Sequence, residues 1–335
     1  MELIRTLSQM VNCLRARGIR RRVAVVCPND PHTEYVIIRA LREEIAEFLL
    51  VTDVSHSETA HHLVSASPDF VRLYETATPD EAAALAVELV RTGEADVLMK
   101  GLINTDNLLR AVLHKELGLL PPGAILSHIT VAQVPLYEKL LFFSDAAVIP
   151  RPTVDQFRAM ILNDVKVCAR LGCIEPRIAL IHFTEKVNEK FPNTLSYVQL
   201  KEEAAAGKLG NVFVDGPMDA KTACDAHSGE IKGLSSPVVG NADVLILPNL
   251  EAANTFYKAL SFFADANMAG MLTGTTAPVV LPSRSDSGNS KYYSLVLACL
   301  AGGDDDEQRD TDGIICEGRC GEYTVRNEKE KALEW

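Results

Sequence analysis

The residues best equipped for chemistry lie close together in one stretch, residues 277–291, reading APVVLPSRSDSGNSK. An apolar, β-leaning run ends there in a polar loop that carries Ser283, Arg284 and Asp286, and a helix-like segment follows. A guanidinium can fork onto two phosphate oxygens, which an ammonium cannot. A serine hydroxyl can donate to a developing oxyanion, and an aspartate can take a proton from a thiol or a phosphate. Lys100 ends a second apolar run, residues 95–101 (ADVLMKG), and adds a point charge beside a glycine. A strand end opening into a helix N-terminus is where anions bind in open α/β sheets. Together these residues point to a phosphate-type site working on a carbonyl without metal. The competing account is a plain surface turn that caps the next helix.

Other polar groups also end apolar runs. Asp145, Asp215 and Glu251 can act as acid, base or ligand, or can cap the helix that follows. His128 precedes the run 129–132 and can titrate near neutrality; a packed, hydrogen-bonded core histidine is the alternative. Residues 185–188 (EKVN) read as a loop at a cleft, and 236–240 (SPVVG) as a turn into a strand. His56, His61 and His62 have no evident metal-ligand partners, and Cys316 and Cys320 form at most half a metal site.

The elements that must position these groups alternate. Residues 1–17 repeat apolar residues at helical steps, and Gly18 ends them. The run 22–27 is a strand, 32–46 a helix and 48–51 a strand, which is a βαβ opening. The first turn reads Cys27-Pro28-Asn29-Asp30-Pro31, not a dinucleotide-binding glycine fingerprint. Residues 55–69 read as a polar connection. Residues 79–92 form a helix capped by Thr78 and Glu81, and another helix starts at Thr105. Past a long helix at 155–172 the rhythm restarts, with strands at 177–182, 211–217, 243–248 and 269–272 and helices at 198–206 and 251–264. The fold class is α/β.

Length and composition set the remaining bounds. A chain of 335 residues suits two domains. A net charge of −12 excludes a sequence-independent nucleic-acid binder, so an anionic ligand needs a local positive site. The eight scattered cysteines fit reduced thiols and a cytoplasmic setting. No signal-peptide pattern is expected, and no run approaches the ~18 apolar residues of a membrane span. Residues 301–335 hold eleven acids and five bases, and read as a solvated acidic tail that can be disordered.

Several ordered motifs carry a family resemblance. They are residues 95–102 (ADVLMKGL), 126–129 (LSHI), 140–146 (LLFFSDA), 185–188 (EKVN), 214–217 (VDGP), 236–240 (SPVVG), 242–245 (ADVL) and 283–287 (SRSDS). Over residues 20–300 the chain resembles the phosphate acetyl/butyryltransferases, with the butyryl-transferring members nearest in pattern. The resemblance implies reversible transfer of a short acyl group, butyryl or branched-chain favoured, between coenzyme A and phosphate. It implies a two-domain fold like that of isocitrate and isopropylmalate dehydrogenases, with a cleft between domains. The first domain would comprise residues 1–147 and 290–300, the second 148–289, and 301–335 would be the tail, which has no counterpart in the family. A homodimer, no metal, no tightly bound cofactor and coupling to an acyl-phosphate kinase are also implied.

Carried over by position, Arg284 holds the phosphate and Ser283 stabilises the attacked carbonyl, with Lys100 beside them. Asp286 is the candidate base for the thiol, although the family's acetyl-specific members place that aspartate further on, where this chain has Ser290. Thr105, His128 and Ser290 remain as candidates for contacts to coenzyme A or the acyl group. The implied mechanism is direct attack in a ternary complex. A ping-pong route through Cys27 or Cys224 lacks an evident histidine partner. A decarboxylating dehydrogenase would need an arginine run and ordered metal-binding aspartates, which are not found. A non-catalytic coenzyme A or acyl-phosphate binding protein using the acidic tail is the other rival.

Overall fold

The computed structural model of the chain describes residues 2–283 and 286–302. Arg284 and residues 303–335 of the acidic tail lie outside the described residues, while Ala301, taken from sequence as the start of the tail, ends the last helix. In chain order the elements begin with helix α1 (Leu7–Ala16), strand β1 (Arg21–Val26), α2 (Pro31–Arg42) and β2 (Ala46–Asp53). Next come α3 (Glu58–Ala66), β3 (Val71–Thr76), α4 (Pro79–Arg91), β4 (Val97–Lys100) and α5 (Thr105–Val112). The middle of the chain supplies β5 (Ser127–Gln133), β6 (Leu141–Ser144), α6 (Val154–Arg170), β7 (Arg177–Ile181), α7 (Pro192–Ala205) and β8 (Phe213–Met218). It closes with α8 (Ala220–Cys224), α9 (Ala226–Ile231), β9 (Val244–Ile246), α10 (Leu250–Phe263), β10 (Asn267–Thr273), β11 (Val279–Val280) and α11 (Gly288–Ala301).

The eleven strands of the described residues form one sheet, in the order β3-β2-β1-β4-β11-β10-β5-β6-β9-β7-β8. Pairing is parallel from β3 to β11 and from β6 to β8. The two halves meet through antiparallel pairings of β10 with β11 and β5, and of β5 with β6. Residues 55–69, read from sequence as a polar connection, contain α3. The strand β3 that follows escaped the sequence reading because it is an edge strand in which only Val71 is fully buried.

Side-chain alternation divides the core by sheet face. One face sends Val23, Val25, Phe48, Leu50, Val97, Met99, Ile129, Val131, Met271 and Val280 into a continuous apolar cluster. Helix α11 lies in that cluster, with Tyr292, Leu295, Val296 and Leu297 fully buried. The opposite face carries two separate clusters. Ala24, Val26, Leu98, Val279 and Leu272 pack with residues of α4 and α5. Ala132, Phe143, Ala179, Leu245 and Met268 pack with residues of α8 and α10. By the same alternation, Lys100, His128, Thr130 and Gly270 belong to this second face, and none is part of either cluster.

A buried carboxyl sits beneath the joint. Asp164 of α6 accepts the Ser144 hydroxyl at 2.9 Å, while its Oδ2 has no hydrogen-bond partner among the described residues. Burial raises its pKa well above the ordinary carboxylate range, so the folded state favours the protonated form. The unfolded chain releases that proton near pH ~4, so the group costs stability increasingly as pH rises above that value. Asp164→Asn keeps the shape and removes the ionisation. Thermal unfolding should show the variant a few degrees more stable than the parent at pH 8 and nearly equal at pH 4. An equal gap at both pH values would contradict this account.

Candidate active site

A cleft of about 450 Å³ opens at the carboxyl ends of β4 and β11, lined by Lys100, Asn104, Thr105, Asp106, Asn107, Pro282 and Ser283. Three of the sequence-derived candidates, Lys100, Thr105 and Ser283, therefore share one wall-to-wall space. A surface groove of similar size near Asn12, Arg20 and Glu44 contains none of them. Lys100 is buried, with Nζ 3.3 Å from the Gly101 carbonyl. Its stem lies in the sheet because β4 is apolar on both faces. Thr105 opens α5, whose N-cap Asn104 makes no side-chain capping bond. The first-turn N–H groups of α5 therefore add partial positive charge beside Lys100.

The loops around this cleft are held by a close backbone approach. Gly101 N–H donates to the Val26 carbonyl at 2.8 Å, and Leu102 N–H to the Cys27 carbonyl at 2.6 Å. Cys27 takes a left-handed backbone conformation, with φ of 52°. A Cβ at Gly101 would fall 2.2 Å from the Cys27 carbonyl oxygen, so only glycine fits without displacement.

Asp286 braces the same loop. Its Oδ2 accepts the Ser283 backbone N–H at 2.8 Å, and its Oδ1 accepts the Tyr257 hydroxyl of α10 at 3.1 Å. It thus ties the loop after β11 to the second half of the fold. Tyr257 was not singled out from sequence, since a tyrosine at helical spacing reads as core. Tyr257→Phe deletes one of the two braces. Assayed under acyl-transfer conditions, it should lower kcat several-fold while the fold stays intact; unchanged kinetics would show that the brace is idle.

His128 is not among the residues lining the cleft at Lys100; it lies at the start of β5, where the charge of Asp286, which holds the Ser283 N–H, acts on its ring. Its backbone N–H donates to Asp145 Oδ2 at 2.9 Å, and Asp145 Oδ1 accepts from Ala147 and Val148 N–H at 2.8 Å. Burial lowers the His128 pKa, opposed by the negative charges of Asp145 and Asp286. Ser290 sits in the first turn of α11, where its N–H donates to the N-cap Ser287 at 3.1 Å. It is a helix-start residue and does not line the cleft at Lys100. The helix is anchored one residue later by Lys291, whose buried ammonium meets Asp30 at 3.2 Å.

Most of the other polar candidates have structural partners. Asp215 pairs with Lys201 at 2.5 Å, Glu185 pairs with Lys232, and Glu251 lies exposed in the first turn of α10. The exposed His56 pairs with the buried Asp53, and His61 pairs at the surface with Glu75. Among the described residues, no three metal-type side chains converge. Burial pushes the Cys27 thiol up to about 11, helped by Asp53, and pushes Cys224 to about 11 as well. Both are held as thiols near neutrality, the wrong form for a nucleophile.

The likeness to known proteins follows the same outline. A sequence model of the family described as "Phosphate acetyl/butaryl transferase" matches residues 56–299. The phosphate butyryltransferase of Clostridium acetobutylicum is 34% identical over 303 residues, 90% of this chain and 99% of that protein. A branched-chain phosphotransacylase from Enterococcus faecalis V583 superposes with a TM-score of 0.74 at 29% identity, covering 84% of this chain and 98% of that one. A putative 4-hydroxythreonine-4-phosphate dehydrogenase from Salmonella typhimurium shares the fold, with a TM-score of 0.53 at 13% identity over 84% of this chain and 99% of that one. The α/β architecture expected from the sequence is thus of the dehydrogenase-like kind, and no helix among the described residues is long and apolar enough to cross a membrane. The family model and the butyryltransferase likeness both span most of the fold, and on them the chain belongs to the phosphate acetyl/butyryl transferase family of phosphate acyltransferases.

Proposed function

We propose that this enzyme moves a butyryl or branched short acyl group between coenzyme A and phosphate, by direct attack with both substrates bound. The convergence of Lys100, Ser283 and the α5 N-terminus on one cleft supports a site for the phosphoryl end of an acyl phosphate. Arg284, next in sequence to Ser283, supplies the forked contact. Ser283 donates to the carbonyl oxygen as negative charge develops there. Holding both substrates in one cleft removes much of the entropic barrier to their meeting. The buried, protonated states of Cys27 and Cys224 favour this single displacement over a covalent acyl-enzyme. We also place residues 1–147 with 290–300 in one domain and 148–289 in the other, and assign a homodimer, with no tightly bound cofactor.

The choice of a butyryl or branched substrate draws on the two relatives so named, of C. acetobutylicum and E. faecalis. Acetyl transfer is the second reading, since the family description includes it. Thiol release from acetyl-, propionyl-, butyryl- and isobutyryl-CoA, with and without phosphate, decides between them. The highest kcat/KM should fall on butyryl- or isobutyryl-CoA, and no thiol should appear without phosphate. A preference for acetyl-CoA would replace the proposed substrate. Initial rates at varied concentrations of both substrates should give intersecting double-reciprocal lines; parallel lines would reject the ternary complex.

A further inference from the structure

Strand β5 carries two polar side chains on the sheet face where the apolar clusters part. His128 lies opposite Leu272, and Thr130 lies opposite Gly270. Nδ1 of His128 and Oγ1 of Thr130 are both buried without a hydrogen-bond partner among the described residues. Buried polar groups are nearly always paired. Two such orphans side by side mark a place where a ligand supplies the missing partners. Gly270 makes room for the ring: a Cβ there would fall 2.9 Å from both Cε1 and Nε2 of His128.

The carboxylates around the ring are already engaged. Asp286 receives Ser283 N–H and the Tyr257 hydroxyl, one on each oxygen. Asp145 receives three backbone N–H groups. Both charges act on the imidazole. We propose that His128 is the group that takes the proton from the attacking thiol and returns it to the departing phosphate. This inference rests on the acyl-transfer reading above.

The energetics favour an imidazole over a carboxylate. A thiol titrates near ~8.5, an ordinary imidazole near ~6.5 and an ordinary carboxylate near ~4, so the imidazole is the closer match. Burial keeps His128 neutral and therefore in its accepting form at neutral pH. Once protonated, it gains from the negative charges of Asp145, in the turn after β6, and Asp286, in the loop before α11. Tyr257 of α10, bonded to Asp286, and the buried Asp164 of α6, which interacts with Asp145, are further titratable groups here among the described residues.

The step balances as follows. The S–H bond breaks and its proton passes to the imidazole. The sulfur lone pair forms a bond to the acyl carbonyl carbon. The bond from that carbon to the phosphate oxygen breaks, and the oxygen leaves with the electron pair. The imidazolium then gives its proton to the departing phosphate, so the imidazole is restored and nothing is oxidised or reduced.

The test is the pH dependence of kcat/KM for thiol acylation from an acyl phosphate. The parent enzyme should lose activity as pH falls through a single ionisation below ~6.5. His128→Gln should lower kcat by about 10²-fold or more, with the KM for acyl phosphate little changed and the acid limb gone. Asp286→Asn should keep the acid limb. A His128→Gln enzyme that retains the limb, or a limb that vanishes instead in Asp286→Asn, overturns the proposal. If His128→Gln fails to fold, the ¹³C-labelled histidines of the parent enzyme decide. The His128 ring must be neutral at pH 7.5 and take up its proton at the midpoint of the acid limb; a charged ring, or an unrelated midpoint, overturns the proposal. A parent enzyme inactive with every acyl group sinks the acyl-transfer reading and this inference together. An active parent whose His128 variants keep the limb sinks this inference alone.

Discussion

Arg284→Ala should lower kcat/KM for phosphate by about 10²–10³-fold, the scale of losing a forked pair of charge-assisted hydrogen bonds to the anion. Most of the loss should appear as a raised KM for phosphate, because the forked contact binds the free anion as well as the transition state. The KM for acyl-CoA should change much less. Arg284→Lys should recover only part of the activity, since an ammonium supplies charge without the planar fork. Circular dichroism and the unfolding midpoint should match the parent. Phosphate saturation curves at fixed butyryl-CoA make the measurement, and an unchanged phosphate dependence would remove the arginine from the site.

Gly101→Ala should be the most damaging single methyl addition near the cleft. The new carbon would lie 2.2 Å from the Cys27 carbonyl oxygen and 2.7 Å from that of Val26. Both are backbone atoms held by hydrogen bonds from Leu102 and Gly101, so neither yields as a side chain would. Overpacking of this kind costs about 1–3 kcal/mol and sometimes more. The displacement also reaches the proposed site, because Lys100 precedes the glycine and Thr105, which opens α5, follows it, and both line the cleft. The variant should therefore unfold at lower denaturant and show a lower kcat/KM. Equilibrium unfolding and the thiol assay report the two effects separately. A parent-like midpoint would mean that the loop relaxes freely and that the close approach is not what holds the cleft wall.

Much of the local structure was legible in the residues themselves. The apolar runs of β1, β4, β7 and β9 and the capped α4 announce themselves because propensity and capping act over a few residues. The sequence also marks the loop that borders the cleft. Ser283 and Lys100 were paired by type and by their place after apolar runs, and they do line one cleft. Recognition of the family rested on the order of many short motifs, which is also a one-dimensional property.

Tertiary structure alone decided how those pieces are used. The antiparallel pairing of β5 and β10, which joins the two halves of the sheet, leaves no mark in either strand's composition. Asp286 reads from sequence as a candidate base, and the fold also makes it a brace, because Tyr257, 29 residues earlier, comes to meet it. His128 precedes the apolar run 129–132, and Thr130 lies inside it. Their standing as orphaned groups beside Gly270 depends on strand register and on where the helices part. Ser290 also takes part in starting α11, through its backbone N–H. The reason is physical. Residue type and spacing set what a side chain can do, while burial, partners and charge set what it does, and those come from residues far away in the chain.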